Sequence, residues 1–320
     1  MSLLGIDLGG TKAAFALFDD GGNLLQKDTY LLGKRKGSEV GSLITSNITR
    51  HLHAQDKSDP VKSVGISVPG ISHSRQGTVW APNIGEWENY PLLKEAKSVS
   101  GDIPVTIDSD RACSILGELW KGNAQGCLDA IFITVGTGIG AGILTSGEIL
   151  RGASDIAGAV GWMGMKKPFL EKFRSCGCFE YYASGTGITR LAAEEAREVK
   201  GYKGVLSPEN NKDYSCNDVF AAYEDGDPVA VRAINQVVFY WGMASANLVS
   251  IFNPEKVIFG GGVFGPARPL IPLIRKEAEN WAQPVSMKGV SFEASSLSGD
   301  AALIGAGCLA LRKVKEKKQF

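Results

Sequence analysis

The chain has 320 residues, 44% of them apolar, which is enough for about two domains with cores of their own. Its 34 basic and 34 acidic residues cancel, so no net field argues for nucleic acid or an anionic membrane as partner. No apolar run reaches the ~18 residues of a membrane span, and no signal segment precedes the first apolar run. The six cysteines (Cys113, Cys127, Cys176, Cys178, Cys216, Cys308) are scattered, so reduced thiols in the cytoplasm are expected.

In chain order, apolar runs at 3–6 and 13–18 flank Asp7-Leu8-Gly9-Gly10-Thr11-Lys12, the pattern of strand, tight turn, strand. Gly9 and Gly10 allow positive φ and let backbone N–H groups approach an anion beside the Thr11 hydroxyl. Asp7, at the end of the first strand, can hold a hydrated Mg²⁺ near that anion. Lys12 either adds charge there or is simply solvated. On these residues alone an ordinary hairpin is an equal reading. A turn at Gly22-Asn23 precedes a third strand over 24–32, and 39–53 has helical periodicity after Ser38. Residues 61–68 form a strand ending at Pro69-Gly70, and 105–107 another, followed by a helix from about Arg111 to Trp120.

A second hairpin, 130–135 and 141–145, surrounds Gly136-Thr137-Gly138-Ile139-Gly140-Ala141-Gly142. Glycines at alternate positions strip one face of side chains and leave N–H groups and the Thr137 hydroxyl to wrap phosphate oxygens. A long helix over 228–252, a strand over 257–259, a helix over 270–281 and a final helix over 301–314 complete the pattern, with a solvated Lys-rich tail over 313–318. The cluster Gly260-Gly261-Gly262 after the late strand offers a flat floor for adenosine. Two halves that each begin with a Gly-Thr hairpin and continue in alternating strands and helices imply an α/β fold with two mixed sheets. The hinge is expected near 108–112, with 1–109 plus 302–320 as the first domain and 110–301 as the larger second one.

Competing nucleotide folds fail. No stretch supplies G-x-x-x-x-G-K-[ST], and the G-x-G-x-x-G fingerprint from Gly136 ends on Ala141. The relaxed form with a final Ala is met, but a Rossmann turn must open a helix, whereas 141–145 reads as a strand. Phosphoryl transfer to an alcohol needs a base for the hydroxyl proton. Asp110, after a strand and before a helix, is the candidate; its alternative role is a helix cap.

Paired Gly-Thr hairpins resemble those of the actin–hexokinase class of ATP-binding proteins, and the run of motifs resembles the ROK family of repressors and sugar kinases. The resemblance covers nearly the whole chain. It rests on Asp7-Leu8-Gly9-Gly10-Thr11-Lys12, Val68-Pro69-Gly70, Pro82-Asn83-Ile84, Asp110 with Leu116-Gly117-Glu118, Gly136-Thr137-Gly138-Ile139-Gly140, Cys178-Phe179-Glu180, Asn253-Pro254-Glu255 and Gly260-Gly261-Gly262. It implies two actin-like ATPase (ribonuclease H-like) domains with an interdomain cleft that closes on its ligands. It further implies ATP and Mg²⁺ as cofactors, a sugar as substrate and a homodimer. Asp110 matches the family base, and Asp108 sits at the wrong offset from Leu116-Gly117-Glu118. Ser109 stands where the family has a sugar-binding asparagine. Gly70, Asn83 and Glu180 match the sugar side, with a plain turn and a helix-start acid as the alternatives for Asn83 and Glu180.

The resemblance stops at Ala157-Gly158-Ala159-Val160-Gly161-Trp162, where the family carries Ala-Gly-Glu-x-Gly-His. Ala159 replaces a sugar-binding glutamate, and Trp162 a histidine that binds both sugar and zinc. Trp162 offers a flat face to a sugar ring or plugs the vacated space. Only Cys176 and Cys178 lie nearby, and all three histidines (His51, His53, His73) lie before residue 74, so no structural zinc is expected. The expected function is an ATP-dependent kinase of a hexose or hexose-like substrate. A ROK repressor is disfavoured because the first strand starts at Leu3, with no room for a preceding DNA-binding domain. Ser109, Ala159 and Trp162 keep open a kinase-derived sensor without catalysis.

Overall fold

The first hairpin forms as its pattern demands. β1 (Ser2–Leu8) pairs antiparallel with β2 (Lys12–Phe18), and the Gly9 N–H closes the tip on the Lys12 carbonyl at 2.9 Å. The computed structural model describes residues 1–54, 59–207, 209 and 213–316. Next come β3 (Leu24–Leu31), α1 (Gly37–Ala54), β4 (Val61–Val68), the short strands β5 (Ile71–His73) and β6 (Thr78–Trp80), α2 (Leu92–Ser100), β7 (Val105–Ser109) and α3 (Asp110–Lys121). The sheet order is β3-β2-β1-β4-β7, with β1, β4 and β7 parallel and β2 and β3 antiparallel.

Alternation along β1 explains the layers. Leu4, Ile6 and Leu8 join a core with Val40, Ile44 and Ile48 of α1, while Leu3 packs with Phe18, Leu303 and Leu311 of the terminal helix (Ala301–Glu316). Apolar strands covered on both faces are the mark of a sheet with parallel strands at its centre. The terminal helix lies so close that a Cβ on Gly65 would come within 2.0 Å of the Ala306 carbonyl oxygen.

The second sheet follows the same plan, in the order β10-β9-β8-β11-β12. It contains β8 (Ala130–Val135), β9 (Ile139–Thr145) and β10 (Glu148–Ile149), then, after a helical stretch, β11 (Lys256–Gly260) and β12 (Ser291–Ala294). β8 and β9 form the antiparallel hairpin, and β8, β11 and β12 run parallel. Its helices are α4 (Cys178–Ala183), α5 (Gly185–Glu198), α6 (Cys216–Glu224), α7 (Pro228–Phe252), α8 (Ile271–Glu279) and α9 (Pro284–Gly289). α7 starts sharply because Asp227 accepts from the N–H groups of Val229 and Ala230 and Pro228 occupies the first turn; Asn253 ends it in the left-handed region.

The chain divides into two units, Met1–Gly126 with Ile149–Ala157 and Asp300–Phe320, and Cys127–Glu148 with Gly158–Gly299. The division therefore falls at 126/127, where 109/110 was expected. The reason is α3, which packs so closely along the terminal helix that a Cβ on Gly117 would meet the Ala301 carbonyl oxygen at 2.2 Å. The Lys-rich tail lies outside the described residues from 317 on. Among the described residues no helix is long and apolar enough to cross a membrane.

Candidate active site

In the first unit the parallel strands align their polar ends. Asp7 lies opposite Ser67, and Ser67 opposite Asp108, at the carboxyl ends where open α/β sheets bind ligands. The Ser67 hydroxyl donates to Asp7 Oδ1 at 2.8 Å. Burial raises the Asp7 carboxyl above its ordinary range; the Ser67 hydrogen bond opposes this, Asp300 adds to it, and Lys12 and Lys27 oppose it. A partly buried carboxylate with its second oxygen unpaired among the described residues fits a hydrated divalent cation.

Beside it stands the hairpin tip. Gly9 uses its N–H to close the turn, so the groups left for an anion are the N–H groups of Gly10 and Thr11 and the exposed Thr11 and Lys12 side chains. The expectation that both glycines offer their N–H groups is thereby corrected for Gly9. A Cβ on Gly10 would lie 3.1 Å from Cβ of Asn83, so the exposed Asn83 loop meets the phosphate-type hairpin directly.

Asp110 opens α3, partly buried, and its Oδ1 accepts from the Arg111 N–H at 2.8 Å. The cap role falls on the preceding residue: Ser109 is the N-cap, its hydroxyl accepting from Ala112 N–H at 3.3 Å. Ser109 is buried at 6% exposure, so it supports the helix that carries Asp110. Burial raises the Asp110 carboxyl to about 6, against the opposing charge of Arg111 and with a further push from Asp7. Arg111 Nη2 donates to the Gly70 carbonyl at 3.2 Å, so Gly70 enters the site through its backbone. Asp108 is committed elsewhere, accepting from Arg151 Nε and Nη2 at 3.0 and 2.6 Å.

In the second unit the Gly136 N–H closes its own turn on the Gly138 carbonyl at 2.9 Å. The N–H groups of Thr137 and Gly138 are the ones left for phosphate oxygens. The Gly136 carbonyl accepts from Gly185 N–H at 2.8 Å, which brings the N-terminus of α5, capped by Ser184, onto the hairpin tip. A cavity of about 660 Å³ results, lined by Gly136, Thr137, Thr186, Tyr214, Asn217 and Gly262 among others.

Of the three late glycines, Gly261 has φ 86° and a Cβ there would meet the Val135 carbonyl oxygen at 2.3 Å. Gly260 is buried against the Phe132 ring, so packing dictates it. Gly262 is the one that floors the cavity. Sequence reasoning missed Gly185, Thr186, Tyr214 and Asn217. The motif Ser184-Gly185-Thr186-Gly187 was the available signal, a third Gly-Thr pair after a capping serine.

Glu180 lies in the first turn of α4, and its Oε2 accepts from the Ile139 N–H at 2.7 Å. Cβ atoms on Gly138 and Gly161 would approach that oxygen at 2.9 and 3.0 Å, so Glu180 is wedged under the hairpin tip. Burial raises its carboxyl, against the Ile139 hydrogen bond. Trp162 is 58% exposed, so it does not act as a plug. The residues do not fit zinc. Cys176 and Cys178 are two donors of the four needed, and Ala159 and Trp162 add none.

Two hairpin-led mixed sheets, each ending in a glycine- and threonine-lined tip, define a two-sheet α/β protein of the actin-like class. The ROK family model matches residues 3–313, and the chain belongs to the ROK family. It is 34% identical over 318 residues to a glucokinase of Halalkalibacterium halodurans, covering 96% of this chain and 94% of that one. A ROK family glucokinase from Streptomyces griseus, solved in complex with glucose and AMPPNP, is 29% identical with a TM-score of 0.78, covering 98% of this chain and 100% of that one. A xylose repressor of Caldicellulosiruptor bescii is 31% identical over 259 residues, covering 78% of this chain and 62% of the repressor.

Proposed function

We propose that the chain is an ATP- and Mg²⁺-dependent kinase that transfers the γ-phosphate to a hydroxyl of a hexose or hexose-like sugar, with Asp110 as general base. The observation that carries it is the state of Asp110. Its cap role is taken by Ser109, its rival Asp108 is paired with Arg151, and its carboxyl is raised to about 6, near the range a general base needs. The glucokinase relatives support the same chemistry.

Gly10, Thr11 and Lys12, and Thr137 and Gly138, would contact the phosphates, and the cavity floored by Gly262 would take the nucleoside between Tyr214, Asn217 and Thr186. Asp7 would hold Mg²⁺ through water, and the cation would neutralise charge on the β- and γ-phosphates. Asn83 and Glu180 would bind the sugar, with Gly70 and Ser109 shaping the pocket behind them and Trp162 offering a ring face. Asp110 would take the proton of the attacking hydroxyl and hold it as the phosphoryl group is transferred. The protein would work in the cytoplasm as a homodimer, which light scattering on the purified chain checks.

A coupled ADP-release assay across hexoses, N-acetylhexosamines, ketoses and polyols tests the reading. Sugar-dependent turnover that disappears in Asp110→Ala supports it; nucleotide binding without turnover on any sugar refutes it. A second reading, a sensor that binds sugar and nucleotide without transfer, is favoured by Ala159 and the exposed Trp162 and by the xylose repressor relative. The same assay separates the two.

A further inference from the structure

Three carboxylates gather at one end of the first sheet. Asp7 and Asp108 stand in register on either side of Ser67, and Asp110 follows at the start of α3. Close carboxylates raise one another, and a buried unpaired charge is costly, so such a row needs a cation. Arg151 supplies it. Its Nε and Nη2 both donate to Asp108 Oδ2, at 3.0 and 2.6 Å, while the Ser109 N–H donates to Oδ1 at 2.8 Å. Asp108 is only 7% exposed, while the Arg151 side chain that reaches it is 37% exposed.

Arg151 is distant in sequence. It belongs to Ile149–Ala157, a segment that packs with the first unit although the chain on either side belongs to the second. A second tie holds that segment: Asp155 accepts from the Ser74 N–H and hydroxyl at 3.0 Å. Arg151 is thus anchored twice, once by its own ion pair and once four residues later.

We propose that Arg151 is a positioning residue of the acceptor site: by pairing with Asp108 it fixes the 108–110 turn and leaves Asp110 as the one carboxylate able to take the acceptor proton. The proposal rests on the kinase reading of the preceding section. Asp110 is faced by Arg111 of α3 and Asp7 of β1; Asp108 by Arg151 and by the Cys113 thiol of α3; Asp7 by Lys12, Lys27 and Asp300. Arg111 is directed elsewhere, its Nη2 donating to the Gly70 carbonyl at 3.2 Å.

The test is Arg151→Met in the full chain. Removing the guanidinium leaves the Asp108 carboxyl without its Arg151 partner two residues from Asp110, so the acid limb of kcat moves to higher pH by about one unit. The KM for ATP stays within about twofold, and kcat at neutral pH falls about tenfold. Arg151→Lys recovers part of the loss, because a point charge replaces the fork. Arg151→Met with Asp108→Asn returns the limb to its original position. A ¹³C-carboxyl NMR titration of Asp110 in the ligand-free protein reads the same shift without turnover. If the unaltered chain phosphorylates no sugar, the kinase reading fails, while this titration still decides the role of Arg151. An Asp110 titration unchanged in Arg151→Met, or still shifted in the double variant, overturns the proposal.

Discussion

At the scale of single residues, the site turns on which of three neighbours does which job. Ser109 caps α3, Asp108 pairs with Arg151, and Asp110 is left with a carboxyl raised to about 6. Asp110→Asn therefore lowers kcat by roughly 10²–10⁴-fold while nucleotide affinity stays unchanged, as steady-state kinetics and calorimetric titration of a non-hydrolysable ATP analogue will show. In the unaltered protein turnover falls as pH drops through about 6, because the base must be ionised.

The same shift has a sign for stability. Asp110 binds its proton more tightly in the folded state than in the unfolded chain, so its ionised form opposes folding above about pH 6. Stability from this group rises as pH falls from about 6 towards 4. Asp110→Asn should thus be the more stable protein at pH 8, by up to about 3 kcal/mol, with the advantage shrinking towards pH 4 in denaturant melts. A variant less stable than the parent at pH 8 contradicts this assignment. The place of Asp110 between a strand and a helix was legible in the sequence. The division of labour with Ser109 was not, because helix boundaries shift by a residue and only the cap geometry decides.

At the scale of elements, the two hairpins were legible because a glycine-rich turn between apolar runs is a local signal. Their fine structure was not, since Gly9 and Gly136 use their N–H groups to close their own turns. The cavity of the second unit was half legible: Gly262 and Thr137 stood out, but Tyr214 and Asn217 enter only through the packing of α5 and α6 around the tip. The packing at Gly260 was not legible, as nothing local says that Phe132 of the neighbouring strand lies against it.

Glu180 ties α4 to the second tip. Glu180→Ala leaves the Ile139 N–H unpaired, at a cost of about 1–3 kcal/mol, and loosens the tip of the second hairpin, which is proposed to contact phosphate. It should raise the KM for ATP about tenfold or more, and Glu180→Gln, which keeps the acceptor oxygen, should recover most of that. KM values for ATP equal to the parent's in both variants would show that Glu180 serves only the sugar. Gly261→Ala must break the close approach to Val135 at a φ of 86°, so it should lower Tm and abolish binding of the ATP analogue together.

At the scale of the whole molecule, the two-sheet α/β plan was legible from two repeats of hairpin followed by alternating strands and helices. The division at 126/127 and the association of Ile149–Ala157 with the first unit were not, since both depend on contacts between distant segments. The cysteine pair at 176 and 178 provides too few donors for a structural zinc. Dialysis against a strong zinc chelator should therefore leave Tm unchanged, whereas removing Mg²⁺ should abolish turnover; a fall in Tm that zinc restores contradicts the former.

Relatives of this chain include both glucokinases and a xylose repressor, so the central claim is that phosphoryl transfer itself takes place. The direct measurement is ³¹P NMR of the full chain with ATP, Mg²⁺ and each sugar of a hexose panel. The account predicts a sugar phosphate ester growing in step with ADP for at least one sugar, and no ester with Asp110→Asn although that variant still binds the ATP analogue. Nucleotide bound and no ester formed from any sugar would contradict it.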